Sequence, residues 1–142
     1  LSFSMDSLNW IAIVIMTVIS FMFGHLWFGV LFGKQWQRIH GMDCMDEKAK
    51  KAMMKGLWKI MITELMATFF IIVGLACVIR AVPEYSGIKT AFMVWIAFIV
   101  PLTASNVVWG GDKREDMITK IVITVGYRLI PLIITGYVLT QW

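Results

Sequence analysis

Four side chains able to hydrogen-bond or move protons interrupt otherwise apolar stretches of this 142-residue chain: His25, Glu64, Asn106 and Arg128. Polar and ionisable groups within hydrocarbon are rare and mark candidate functional sites by default. An imidazole that titrates near neutral pH, beside a carboxylate and a guanidinium, has the parts of a proton or ion relay or of a polar pocket. Glu64 paired with Arg128 and flanked by His25 and Asn106 would form a neutral layer. Pairing is the cheapest way to place these groups in hydrocarbon, where an isolated charge costs several kcal/mol. The blander reading is interhelical glue, worth about 1 kcal/mol per polar contact. Glue with a pocket is preferred here, and a relay comes second.

No catalytic constellation accompanies them. HExxH, GxSxG, CxxC and a close pair of carboxylates do not occur, so no catalytic residue is assigned and an independent enzyme is not expected. A helical bundle can hold a haem or a di-metal site, but the only other histidine, His40, falls in a connection. His40, Met42, Cys44 and Met45 lie close together, and imidazole, thioether and thiolate suit Cu(I). Their spacing matches no established motif, and Met occurs eleven times in the chain, mostly as packing or lipid-facing side chain. No metal or cofactor is expected, and lipid is the expected companion.

The elements that must position the four polar groups follow from composition. Of the chain, 59% is hydrophobic and 15% charged, with mean hydropathy +0.78. A soluble domain is nearer 45–50% apolar and about 25% charged. Disorder, collagen, coiled coil and disulfide scaffolds are excluded by the same arithmetic. A spanning helix needs roughly 20 mostly apolar residues, and four stretches qualify, at about 8–32, 58–80, 90–109 and 117–139. The expected fold is therefore all-α, a single four-helix transmembrane domain over 1–142, since only helices satisfy their own backbone in lipid here. The first span lacks a basic flank and an A-x-A site, so it reads as a helix that stays and not as a cleaved signal. Leu1 and Met5 are both candidate start residues.

Lysine and arginine set the orientation. The 34–57 connection and its flanks hold Lys34, Arg38, Lys48, Lys50, Lys51, Lys55 and Lys59, and the third connection holds Lys113 and Arg114. That side is expected in the cytoplasm, with both termini on the other side, in a multi-pass protein of the bacterial inner membrane. Trp10, Tyr85, Tyr137 and Trp142 would mark the outer edge, and Trp36, Trp58 and Trp109 the inner edge. The net charge of +4 then signals topology and attraction to anionic lipid at the basic loop, not nucleic acid. Within that loop, Asp43 or Asp46 is placed to cap a short basic amphipathic helix ending at Gly56, suited to lie on the membrane surface. Cys44 and Cys77 fall on opposite sides and cannot pair.

Helical rise gives the depths. His25 lies roughly 13 Å from Lys34, Arg128 roughly 12 Å from Lys120, Glu64 roughly 8 Å from Lys59 and Asn106 roughly 10 Å from Lys113. The four polar side chains would thus form one layer in the cytoplasmic half, one per helix. Ser20 with Gly24, and Gly29 with Gly33, have the small-xxx-small spacing that admits a close helix. Pro101 and Pro131 suggest kinks, with Phe92 and Trp95 beside a groove.

The stretch Gly24-His25-Leu26-Trp27-Phe28-Gly29-Val30-Leu31-Phe32-Gly33-Lys34-Gln35-Trp36 resembles the G-x-L-W-Y-x-x-L-F-G-K-x-W pattern of domain-of-unknown-function family 1761. Leu8-Asn9-Trp10, Gly126-Tyr127-Arg128-Leu129 and Gly136-Tyr137 are similar to that family too. Phe28 stands where the family often has tyrosine, and Arg128 where histidine is expected. The resemblance implies a small four-span protein and supplies no activity. Physically, the motif's glycines thin one face, Trp27 and Trp36 bracket the inner interface, and Lys34 reaches the headgroups.

Three roles fit these residues. The first is an accessory or assembly subunit of a membrane complex, or a homo-oligomer. The second is a small transporter or channel using the polar layer, and the third a cofactor binder. The first is preferred.

Overall fold

The computed structural model describes residues 4–142. Four of its helical segments are long and apolar enough to cross a membrane: Trp10–Leu31, Leu57–Ala81, Gly87–Trp109 and Arg114–Gln141. They run up and down in chain order. The first consists of α1 (Trp10–Leu26) and a π-helical turn, Trp27–Leu31. Short helices α2 (Gly33–Ile39) and α3 (Glu47–Lys55) fill the basic connection before α4 (Leu57–Ala81). The third span divides into α5 (Gly87–Val94), a second π turn at Trp95–Ile99, and α6 (Val100–Trp109); α7 (Arg114–Gln141) closes the bundle.

Local chemistry explains most boundaries. Asn9 Oδ1 accepts from the Ala12 amide at 3.1 Å and starts α1. Asp46 Oδ1 accepts from the Ala49 amide at 2.7 Å and starts α3, which ends at Gly56. Ser86 Oγ accepts from the Lys89 amide at 3.2 Å, so the third span begins at Gly87, three residues before the expected start. Pro101 removes an amide donor and its ring pushes away the carbonyl four residues back. The wider π turn just before it accommodates both effects. Pro131 produces no break, since α7 is helical throughout.

The core sits away from the basic connection. Leu8, Ile13 and Met16 bury against Ile72 and Ala76 of α4, and Leu75, Ala91 and Leu132 form a second cluster joining α4, α5 and α7. Helix α7 touches every other span. Its closest neighbour is α5, because Gly87 and Gly136 meet backbone to backbone. A Cβ at either glycine would overlap the other's carbonyl group, and one at Gly136 would also come within 2.9 Å of Ala91 Cβ. The small pair Gly87 and Ala91 has the same spacing as Ser20 and Gly24, and it makes the tightest crossing in the bundle.

Candidate functional site

Toward the basic connection α1 and α4 part, and α7 becomes the floor between them. About two turns into α4, Glu64 projects across this gap to α7. Its Oε1 accepts from Arg128 Nη2 at 2.7 Å and from the Tyr127 hydroxyl at 2.9 Å. Arg128 Nη1 donates to Thr68 Oγ1 at 3.1 Å and to the Tyr127 oxygen at 3.3 Å. The guanidinium also lies 4.6 Å from the Tyr127 ring centre. Four groups from two helices therefore share one network, and its two charges cancel.

The network forms one wall of a groove of about 540 Å³. Phe21, Phe28 and Trp36 line it on the α1 side, Leu57, Ile60 and Met61 on the α4 side, and Thr124 at the floor. Phe28 lies 4.6 Å from Trp36 and 5.0 Å from Tyr127 between ring centres, so the inner end is an aromatic wall. Behind Arg128 a separate cavity of about 20 Å³, the size of one water molecule, is lined by Ser20, Thr68 and Thr135. Ser20 Oγ is buried there with no hydrogen-bond partner among the described residues.

Of the four residues expected in one layer, the structure joins Glu64 and Arg128 directly. His25 lines the same groove but is exposed, with Nδ1 on the Phe21 carbonyl at 3.1 Å. Asn106 must be removed from the layer. Helix α6 ends at Trp109, and the chain turns through Gly110 and Gly111, the latter at φ 80°. Only three residues of helical rise, roughly 4.5 Å, separate Asn106 from that end. It is exposed, and the rise counted from Lys113 runs through a turn that is not helical.

The glycine readings divide similarly. Gly24 is packed under Tyr127, 2.8 Å from where its Cβ would stand to the ring, and Ser20 is buried beside it. Gly29 has nothing within 4 Å of a Cβ, and Gly33 would meet only the Phe28 carbonyl of its own segment. Neither seats another helix. The π turn and Phe32 (φ −121°) change the register after Leu26, so four-residue spacing no longer marks one face there.

Trp27 also needs correction as an interfacial anchor. Its indole turns into the bundle, donating from Nε1 to the Ile123 carbonyl at 2.9 Å and packing against Gly126. Trp95 does the same from the other side, to the Val125 carbonyl at 2.8 Å. Both π turns thus begin with a tryptophan bonded to the backbone of α7. Trp36 is half-buried beside His40, while Trp10, Trp58, Trp109 and Lys34 are exposed near span ends or in the connection. Two carboxylates missing from the sequence reading tie down the basic side. Asp112 takes Lys120 at 3.0 Å, and Asp116 takes Arg38 at 3.3 Å. Tyr127 and Thr68 were also outside the expected layer. Helical spacing held the signal, because Glu64 and Thr68 are i and i+4.

Four helices long and apolar enough to cross a membrane, with an ion pair joining α4 to α7 and a lateral groove, mark a small polytopic membrane protein. The chain belongs to the family described as protein of unknown function (DUF1761), whose model matches residues 11–140. No curated protein and no solved structure matches it.

Proposed function

We propose that the protein is a non-catalytic membrane subunit that holds a lipid-like amphiphile between α1 and α4. The observation that carries this reading is the groove itself. Its volume of about 540 Å³ falls within the 300–1,000 Å³ or so typical of small-molecule sites, and such sites combine apolar walls with a few convergent polar groups. Ile13, Met16, Ile72 and Leu75 fill the opposite half of the bundle, so the groove is blind. That favours binding over conduction by one chain, and transport would require other chains to complete the path.

An accessory or self-assembling role fits the helix surfaces. Only 11% of the apolar window in the third span is buried, against 33% in the first, leaving α5 and α6 free to meet another membrane subunit or a second copy. The basic connection is proposed to face the cytoplasm and anionic lipid, in a bacterial inner membrane.

The test compares the purified full chain with Gly29→Phe in mild detergent, by mass analysis of the intact particle. Gly29 lines the groove and has open space where a side chain would grow, so the variant should retain wild-type helix content while filling the site. A bound amphiphile lost from the variant supports the reading. The same molecule retained by both, or no bound molecule in either, overturns it. Reproducible foreign subunits in the particle would add the accessory role.

A further inference from the structure

We infer that the groove selects an amphiphile whose head donates hydrogen bonds without carrying negative charge, with a phenolic hydroxyl the best fit. This rests on the groove being a binding site and names what it recognises.

The argument is a count of protons and lone pairs. Glu64 Oε1 takes both the Arg128 and the Tyr127 donors. No hydrogen bond from the described residues reaches Oε2, although the Glu64 side chain lines the groove and remains 39% exposed. A carboxylate oxygen can only accept. His25 supplies a second acceptor. The Phe21 carbonyl, which also can only accept, lies 3.1 Å from Nδ1, so Nδ1 is the donor there and, in the Nδ1–H tautomer, Nε2 keeps a lone pair. Meanwhile the Tyr127 hydroxyl proton is spent on Glu64, and three of the five Arg128 N–H donors go to Glu64, Thr68 and Tyr127. The groove therefore presents two vacant acceptors beside a pair that is already neutral.

Charge narrows the choice. A carboxylate or phosphate head would bring a second negative charge to a guanidinium already neutralised by Glu64, in a setting where unpaired charge is expensive. A hydroxyl satisfies an acceptor without adding charge. The aromatic wall of Phe28, Trp36 and Tyr127 offers faces and edges to a ring next to that hydroxyl. The apolar remainder of the groove suits the tail.

Three probes separate the terms: 4-decylphenol, its methyl ether 4-decylanisole, and 4-decylbenzoate. Each is titrated into the full chain in nonionic detergent, read by tryptophan emission, with Gly29→Phe as the blank for partition into micelles. The expected result is that the phenol binds about tenfold more tightly than the ether, the scale of one hydrogen bond to a charged acceptor, and that the benzoate is weakest. His25→Phe, a change at an exposed position, should reduce the phenol's advantage. Equal binding of phenol and ether, both abolished by Gly29→Phe, would leave the groove as a site and overturn the donor-head inference. Tightest binding by the benzoate would overturn it in favour of recognition by Arg128. No probe binding above the blank would overturn the groove reading and the inference together.

Discussion

Helices α1 and α4 are one pair with two different ends. Away from the basic connection, Ile13 and Met16 interlock with Ile72 and Ala76, each almost wholly buried. Near the connection, residues of the same two spans, from Phe21 to Gly29 and from Leu57 to Glu64, stand apart around the groove. The closed end is apolar and held by close contact. The open end contains the ion pair, the imidazole and the aromatic wall. Holding one end shut frees the other from packing, and charged groups are cheaper where a polar partner or ligand can still reach them.

The comparison would break most visibly at the glycine crossing of the closed end. Gly136→Leu should cost more than about 3 kcal/mol, above the usual overpacking cost, because the obstructing atoms are backbone and cannot rotate away. Folded yield and thermal stability in detergent are the readouts, and a wild-type melting temperature would refute the tight crossing. In the open end, Arg128→Met leaves Glu64 with Tyr127 alone and should destabilise by about 3 kcal/mol. The double variant Glu64→Leu with Arg128→Met should return to within about 1 kcal/mol of wild type, since removing both charges removes the need for either. A double variant as unstable as the single one would mean the pair does more than cancel charge. Trp27→Phe, between the two regions, should cost about 1 kcal/mol through the lost bond to the Ile123 carbonyl. Hydrogen exchange on α7 would detect it, and unchanged protection would assign the indole to packing alone.

Much of this protein is legible without coordinates. Span number, the all-α class and a cap at Asp43 or Asp46 follow from local chemistry, with the structure choosing Asp46: unpaired backbone is intolerable in lipid, and short polar side chains cap helix starts. The family resemblance at Gly24 to Trp36 is likewise a property of the string itself. Opposite charges in two spans were enough to pair Glu64 with Arg128, because each would be costly alone. Tertiary structure decided what rotation and register decide. Tyr127 and Thr68 enter the network, and Asn106 leaves it, because the Gly110–Gly111 turn ends the helical rise. Gly24 packs under Tyr127, whereas a Cβ at Gly29 would meet open space in the groove that both line. Trp27 points inward because, three residues on from Gly24, it shares the face that α1 turns to α7. Identity and spacing specify what a side chain can do, whereas a change of helical register of one residue swings it by roughly 100° and decides what it meets.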